Sequence, residues 1–497
     1  MKNNILKRII SSVLLLIMLL GFIGCSQSDS TTSDAASSED TVKITEESVI
    51  PSTDTANEIE NDTDTEIING DSTASDTIAA DTDNIDTNAI DTKAPESDTP
   101  DTDPSPVIIP VSSPIDLMKD VKKDPGIRIK NISDTAFYTD FTAKLFKGCY
   151  TDSKNILISP LSVLSALAMT ANGADGDTLE EMEKAFGFSV DKLNEFMLSY
   201  MSSLSNGEKY KLSLANSIWF RDDESLTVNE RFLKTNANYY GAGLYKAPFN
   251  EKTRNDINGW IKNKTDGMID NVIDKIPEDA VMYLVNALCF DAEWEEKYSE
   301  HRIKNGNFNC LDGNVKEVDF MSCNVSDYIS DDTTTGFVKY YAGRKYAFAA
   351  LLPNEGIALS DYVASLTGEK ISTLLTERKK GVEVKTKTPK FETEYSSPLN
   401  GTLSDMGIKK AFDEGLADFS SLGRSENGNI FINRVIHKTY ISVDESGTRA
   451  GATTVIEMAT SSITMNMHYV TLDRPFVYML IDCENDLPLF IGTLTNI

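Results

Sequence analysis

The sequence has few of the residues that enzymes use for catalysis. Its 497 residues include three histidines, His301, His437 and His468, and it lacks the motifs G-x-S-x-G, H-E-x-x-H, G-x-x-x-x-G-K-[ST] and G-x-G-x-x-G. A lone histidine in a strand, such as His437, is usually a buried hydrogen-bonding residue. We therefore predict no catalytic residues, no metal site and no cofactor, and the chain is not expected to be an enzyme.

Cysteine is also scarce, and its spacing argues against metal and disulfide frameworks. The six cysteines are Cys25, Cys149, Cys289, Cys310, Cys323 and Cys483, and no two of them form a C-x-x-C pair. Residues 312–314, Asp-Gly-Asn, are typical of a hairpin tip. That turn would place Cys310 opposite about residue 316, far from Cys323. We expect neither a disulfide framework nor a zinc site.

Basic residues are outnumbered by acidic ones, 47 Lys and Arg against 77 Asp and Glu, which gives a net charge of −30. The excess is uneven, because residues 26–112 alone carry a net charge of −20 and residues 113–497 carry −13. Phosphate groups are bound by clustered Lys and Arg. The composition therefore predicts no nucleic-acid partner.

The N-terminus has the pattern of an export signal. Basic residues within residues 2–8 precede a nearly unbroken apolar stretch of 15 residues, 9–23, which is short for a membrane helix but typical of a signal peptide. The following Gly24-Cys25 resembles the lipobox of bacterial lipoproteins, in which the cysteine is lipidated and becomes the mature N-terminus. The resemblance implies a signal peptide over residues 1–24 and an extracellular, cell-surface protein anchored to the membrane through Cys25. The alternative is an ordinary signal peptide followed by an incidental cysteine.

Residues 26–112 have the composition of a disordered tether. They contain no aromatic residue and are dominated by Ser, Thr, Asp and Ala, so they cannot bury enough apolar surface to offset the entropy of ordering. Their repeated acidic residues favour an extended, solvated chain. We therefore predict a lipidated, acidic tether over residues 25–112 and one large folded domain over residues 113–497.

The folded region combines helical and strand patterns. Helical spacing occurs at residues 134–147, 161–171 and 256–270, and Ser159-Pro160 supplies an N-cap and a first-turn proline for the second of these helices. Strand-like runs occur at residues 212–220, 283–290, 346–352, 382–387, 435–443, 477–481 and 489–494. Because helices and strands are mixed without a βαβ rhythm, the predicted class is α+β.

The most informative segment is the small-residue stretch 445–462. It begins Glu-Ser-Gly-Thr-Arg-Ala-Gly-Ala-Thr-Thr, which resembles the E-x-G-T-x-A-x-A-x-T hinge of the serpins. Other motifs of that family follow in order over about residues 125–497: Asn155, Ser159-Pro160, Ser162, Gly173-Ala174, Asn258-Gly259-Trp260, Leu284-Val285-Asn286-Ala287 with Trp294, Pro389-Lys390-Phe391, Ala417-Asp418-Phe419-Ser420 and Asp473-Arg474-Pro475-Phe476. The folded region is therefore identified as a member of the serpin family.

The resemblance implies a fold and a mechanism. The serpin fold has a large central sheet that is opened by insertion of the reactive loop, together with smaller sheets and about eight to nine helices. A serine protease cleaves the loop and forms a covalent acyl complex, and the cleaved loop then enters the sheet as a new strand. The expected function is suicide inhibition of serine proteases by a monomeric protein. Cysteine proteases are a second class of target that the family allows.

The hinge residues implied by the resemblance are Glu445, Gly447, Thr448, Ala450, Ala452 and Thr454. Successive side chains of a strand point to opposite faces of a sheet, so the last four of these residues share one face, and all four are small. Arg449 falls on the other face, where a charge is tolerated. This alternation favours an inhibitory loop over a non-inhibitory relative.

The attacked bond usually lies seventeen residues from the hinge glutamate. Counting from Glu445 places Ser461 on the acyl side and Ser462 on the leaving side, with Thr460 as the alternative acyl residue. Either residue is small, which implies a protease with a small primary pocket, of the elastase or subtilisin type. Trypsin-like proteases are disfavoured.

Four further residues, Ser159, Ser162, Asn286 and His437, match the serpin shutter, which lies beneath the point where the sheet opens. The resemblance implies that a neutral His437 bridges the asparagine and serine side chains. Trp294 matches the breach, the region where the loop first enters the sheet. The competing hypothesis is a non-inhibitory serpin-fold lipoprotein that serves in binding or adhesion, but the inserting face carries none of the bulky, charged or proline residues that usually accompany loss of inhibition.

Overall fold

The computed structural model describes residues 113–124, 126–278, 280–448 and 467–497. The predicted signal peptide, Cys25, the tether and the loop residues Ala450, Ala452, Thr454, Thr460, Ser461 and Ser462 lie outside the described residues. In the described ranges, no helix combines the length and the apolar character needed to cross a membrane.

Nine α-helices occur in the described part of the chain, which confirms the predicted number. They are α1 Ala136–Cys149, α2 Pro160–Ala171, α3 Gly176–Phe186, α4 Val190–Ser203, α5 Glu230–Tyr239, α6 Glu251–Lys264, α7 Leu359–Ser365, α8 Gly368–Thr376 and α9 Asn400–Asp405. The Ser159 hydroxyl accepts the N–H of Ser162 as the N-cap of α2, and all residues of α2 are buried. Helix α6 starts earlier than predicted because the side chain of Asn250 caps it by accepting the N–H of Thr253.

Eighteen strands are present in the same residues. They are β1 Ile115–Asp116, β2 Ile156–Ile158, β3 Tyr210–Arg221, β4 Thr227–Val228, β5 Gly243–Ala247, β6 Met282–Glu293, β7 Ile303–Asn309, β8 Val315–Ser330, β9 Thr334–Tyr340, β10 Tyr346–Pro353, β11 Lys379–Pro389, β12 Phe391–Pro398, β13 Gly423–Arg424, β14 Arg434–Val443, β15 Gly447–Thr448, β16 His468–Thr471, β17 Phe476–Asp482 and β18 Leu487–Leu494. Every predicted strand is found, and all seven extend beyond the predicted limits at one or both ends.

The strands form two large sheets, which confirms the α+β class. Sheet A has the order β1-β5-β3-β6-β15-β14-β12, and sheet B has the order β16-β11-β8-β9-β10-β17-β18-β2 with β7 paired to β8. A third sheet contains only β13 and β4. Five strands of sheet A are at least five residues long, while β1 and β15 contribute two residues each. The short strand β15 is part of the predicted hinge.

The predicted hairpin at residues 312–314 connects β7 and β8. The N–H of Cys310 donates to the carbonyl of Asn314 at 2.8 Å, and Gly313 adopts a φ of 84°, which glycine tolerates without strain. Cys310 thus lies opposite residue 314, slightly nearer the turn than predicted, and Cys323 lies beside Thr386 of β11. The five cysteines in the described residues form no disulfide bonds.

Helix α6 covers one face of sheet A. The main core lies on the other face and includes α1 to α4 and sheet B. A smaller core joins Ile257 and Ile261 of α6 to Val285, Ala287 and Cys289 of β6. The part of β6 from Val285 to Cys289 is therefore buried on both faces.

Candidate functional site

The central feature of sheet A is a gap between β6 and β14. These strands are parallel and pair over four residues, from Tyr283 with Arg434 to Asn286 with His437. At the other end, β15 lies between them and pairs antiparallel with both. Within the described residues, residues 287–291 of β6 do not pair with residues 438–442 of β14. The sheet is thus closed at one end and separated at the other by the start of the hinge.

A tight turn directs the hinge into this gap. The Asp444 carboxylate accepts the backbone N–H groups of Ser446 at 2.7 Å and Gly447 at 3.0 Å, and the N–H of Asp444 donates to the carbonyl of Gly447. A Cβ atom at Gly447 would lie 2.0 Å from the carbonyl oxygen of Ala292. Position 447 therefore requires glycine, and Asp444 positions Ser446 and Gly447 at the start of β15.

Thr448, the last described residue of the hinge, points into the core. Its side chain is 1% exposed, and its hydroxyl is hydrogen-bonded to the Tyr341 hydroxyl at 2.6 Å. This orientation agrees with the face predicted from the alternation of small residues. The other three residues predicted on that face lie outside the described part of the chain.

Trp294 lies at the same end of the gap and contacts the turn directly. Its indole N–H donates to the carbonyl of Asp444 at 2.8 Å, and its backbone N–H donates to the carbonyl of Ser446. Its ring stacks on Tyr341 with 4.3 Å between the ring centres. Tyr341 and Asp444 were not singled out from the sequence, although an aspartate three residues before a glycine is a common turn signal.

Glu445 forms an ion pair with Lys390 of the segment between β11 and β12. The Lys390 Nζ lies 2.8 Å from the glutamate oxygen, and this hydrogen bond lowers the pKa of Glu445. Both side chains are about one-third exposed, so solvent screens the pair and its contribution to stability is small. The ion pair positions the start of the hinge more than it stabilises the fold.

The four predicted shutter residues come together at the closed end of the gap. Ser159 and Ser162 lie at the start of α2, and Asn286 and His437 face each other across β6 and β14. His437 is 1% exposed, and its Nε2 accepts the backbone N–H of Ser159 at 3.0 Å. The predicted bridge between asparagine and serine side chains thus differs from the observed contact, in which His437 binds the backbone at the N-cap of α2.

A separate pair of asparagines joins β6 to β3 at this level. The Asn286 amide donates to the Asn216 side-chain carbonyl, and the Asn216 amide donates to the Ser165 hydroxyl of α2 at 2.7 Å. Within the described residues, Ser162 Oγ and Asn286 Oδ1 are buried without a hydrogen-bond partner. Asn216 and Ser165 were missed in the sequence because only tertiary contact links them to the shutter.

Burial lowers the pKa of His437 from 6.5 to about 4, and this shift predicts a loss of stability in acid. The unfolded chain takes up a proton near pH 6.5, before the folded protein does. The contribution of His437 to the free energy of unfolding is therefore fully present above pH 6.5. It falls by about 3 kcal/mol between pH 7 and pH 4. Urea midpoints of the wild type and His437→Gln across this range test the prediction. The variant should show a shallower pH dependence, and equal slopes would contradict it.

The described residues contain no cluster of three or more His, Cys, Asp or Glu side chains that could hold a metal ion. The site is instead built from backbone hydrogen bonds, a buried neutral histidine and a strand position between β6 and β14 that only β15 fills among the described residues. Such an arrangement can accept a strand, because the edges of β6 and β14 face each other across the gap.

Comparison with known proteins identifies the same fold over the folded region. The family model described as Serpin (serine protease inhibitor) matches residues 136–497. Leukocyte elastase inhibitor A of Mus musculus is 30% identical over 375 residues, covering 72% of this chain and 98% of that protein. The solved structure of the thermophilic serpin tengpin in its native state is 44% identical, has a TM-score of 0.75 and covers 78% of this chain and 100% of that one. Tengpin in its latent state is also 44% identical, with a TM-score of 0.66 and coverage of 74% and 100%.

Proposed function

The chain belongs to the serpin family, which is described as one of serine protease inhibitors and not of enzymes. We propose that it is a suicide inhibitor of serine proteases tethered to the cell surface. The observation that carries this proposal is the gap in sheet A with the hinge already paired at one end. Among the described residues, β6 and β14 have no mutual pairs between β15 and the shutter that an entering strand would have to replace. Cleavage of the loop would free the rest of the hinge to follow.

The register of β15 defines where the following residues would land. Thr448 pairs with Ala292 of β6 and Val443 of β14. In an antiparallel ladder each step forward along one strand is a step back along its neighbour, so Thr454 would arrive opposite both Asn286 and His437. These two residues already pair with each other. Counting along β6 and counting along β14 give the same answer, which supports the proposal that the end of the small-residue hinge would lie at the shutter.

The same register accounts for the residues on the opposite face. Gly451 and Thr453 would lie opposite Cys289 and Ala287, which α6 covers, so both positions favour small residues. Arg449 would lie opposite Asp291, beyond this covered region. Position 449 accordingly accepts a long charged side chain, and the opposite charge of Asp291 favours it.

The target class and location follow from segments outside the described residues. Ser461 as the acyl-side residue fits a protease with a small primary pocket, and the relative from Mus musculus is named an inhibitor of leukocyte elastase. The signal peptide, Cys25 and the acidic tether of residues 25–112 would hold the domain away from the membrane, where it can meet secreted proteases. Cysteine proteases are a further target class under this proposal.

Mixing the purified protein with elastase, subtilisin and trypsin tests the proposed function. We expect an SDS-stable adduct with elastase or subtilisin and a released peptide that begins at Ser462. A peptide that begins at Ser461 would move the acyl-side residue to Thr460. Cleavage of the loop without any adduct would instead support a non-inhibitory binding or adhesion protein.

Replacing Ser461 with arginine should transfer inhibition to trypsin-like proteases. Arginine fits a deep acidic primary pocket, and Ser461→Ala keeps the small side chain as a matched control. We expect the second-order rate constant for trypsin to rise at least about a hundredfold, because a charged contact in a desolvated pocket contributes about 3 kcal/mol or more. If trypsin cuts the variant elsewhere and forms no adduct, Ser461 is not the acyl-side residue.

A further inference from the structure

Lys339 of β9 is a buried lysine that lies beside Trp294. Its side chain is 4% exposed, whereas every other lysine in the described part of the chain is at least partly exposed to solvent. Removing an ammonium group from water is costly, and an apolar side chain of similar volume would fill the same space without that cost. A lysine at this position therefore calls for an explanation beyond packing.

The contacts of the ammonium group show how its charge is accommodated. The Lys339 Nζ donates to the backbone carbonyl of Glu296 at 2.8 Å and to the Cys323 Sγ at 3.6 Å. It lies 4.4 Å from the centre of the Tyr298 ring and 5.2 Å from the centre of the Trp294 ring. Both distances are within the range of cation–π attraction, which is strongest at desolvated sites. Among the described residues no carboxylate forms an ion pair with this ammonium group.

Three of these contacts are to one short segment, residues 294–298, which follows β6. The same segment holds the turn before the hinge through three hydrogen bonds. Two of them come from the indole and backbone N–H groups of Trp294. The third runs from the backbone N–H of Tyr298 to the carbonyl of Glu445 at 3.0 Å. The segment that the buried lysine contacts is therefore the segment that receives residues 444–446.

We propose that Lys339 is a positioning residue for the hinge and acts through residues 294–298. Its ammonium group holds the rings of Trp294 and Tyr298 together and fixes the carbonyl between them. The N–H groups of these two residues are thereby directed at the carbonyls of the turn. The inference rests on the proposed function, because a hinge held at the entrance of the gap can insert before the acyl-enzyme is hydrolysed.

The variant Lys339→Met tests this proposal in the full chain, because methionine has a similar length and removes the charge and the donors. In hydrogen exchange followed by mass spectrometry, peptides that contain residues 294–298 and 444–448 should exchange at least fivefold faster than in the wild type. Lys339→Arg restores the charge and should return both peptides toward the wild-type rate. Lys345→Met is the matched control, because Lys345 forms an exposed ion pair with Glu484 that contributes little.

The inhibition assay separates positioning from a general loss of stability. Lys339→Met should raise the stoichiometry of inhibition at least threefold, while the initial rate of loop cleavage changes less than twofold. This split is expected because the protease attacks the loop first, and the hinge enters the gap only after cleavage. A merely structural role would instead lower the thermal midpoint and speed exchange throughout β9 and β10.

Unchanged exchange of both peptides in a folded Lys339→Met variant would overturn the proposal, as would equally faster exchange throughout β9 and β10. Lys339→Gln keeps a donor for the Glu296 carbonyl and replaces the methionine variant if that one does not fold. It should still accelerate exchange of both peptides at least twofold. Faster exchange with a normal stoichiometry would overturn the link to inhibition. If the wild type forms no adduct, the proposed function fails, and the exchange experiment still decides the role of Lys339 in the turn.

Discussion

Replacing Thr448 with arginine should convert the inhibitor into a substrate. Thr448 is buried against Tyr341 at the entrance of the gap, and a charge placed there loses several kcal/mol of hydration without a partner. The hinge would then be expelled from sheet A, and insertion would be slower than hydrolysis of the acyl-enzyme. We expect the stoichiometry of inhibition to rise at least about tenfold, since each 1.4 kcal/mol added to the insertion barrier slows it tenfold.

The neighbouring residue supplies the control for this experiment. Arg449 is predicted on the opposite face, opposite Asp291, so Arg449→Ala should change the stoichiometry of inhibition less than twofold. Thr448→Ser keeps the hydroxyl that Tyr341 binds and should also inhibit normally. The prediction fails if Thr448→Arg forms the adduct with the efficiency of the wild type.

Replacing His437 with alanine should lower the inhibitory yield and favour spontaneous loop insertion or polymers. The change removes the acceptor of the buried Ser159 N–H and leaves a cavity between α2 and sheet A. A buried unsatisfied N–H costs about 1–3 kcal/mol, and the lost side-chain packing adds to it. Because the native state of a serpin is trapped kinetically, we expect a thermal midpoint several degrees lower and a higher stoichiometry of inhibition.

The adjacent residue tests whether this effect is specific. Lys438 is on the opposite face of β14, where it forms an ion pair of 2.8 Å with Glu394. Lys438→Ala should leave the thermal midpoint and the inhibitory yield nearly unchanged, because an ion pair with a largely exposed partner contributes little. Gel filtration after mild heating measures polymer formation in both variants. Unchanged stoichiometry and unchanged heat stability of His437→Ala would contradict the assigned role.

The elements of the fold were largely predictable, because their signals are local. The apolar periodicity and the Ser159-Pro160 start identify α2, and the Asp312–Asn314 turn identifies the hairpin of β7 and β8. The start of α6 was misplaced because its N-cap, Asn250, lies outside the apolar pattern that was used to find the helix. Element ends depend on such single hydrogen bonds, and these are weak signals in a sequence.

The contacts of the site were only partly predictable. The resemblance to serpins identified Trp294 and His437, but the partner of His437 proved to be the Ser159 backbone and not a bridging side chain. Tyr341 and Asn216 were not found at all. Tyr341 reaches Thr448 across 107 positions of sequence, and no local pattern reports such a contact.

The sequence by itself determined the alternation of small residues in the hinge, the acidic composition of residues 26–112 and the lack of catalytic motifs, because each depends on residue type and spacing along the chain. Only the tertiary structure decided that β6 and β14 pair at one end and separate at the other, that Gly447 and Thr448 occupy the entrance, and that Asn216 joins Asn286 to Ser165 of α2. These features depend on the register between strands distant in sequence. Register is fixed by packing of the whole sheet on its helices, and no single segment encodes it.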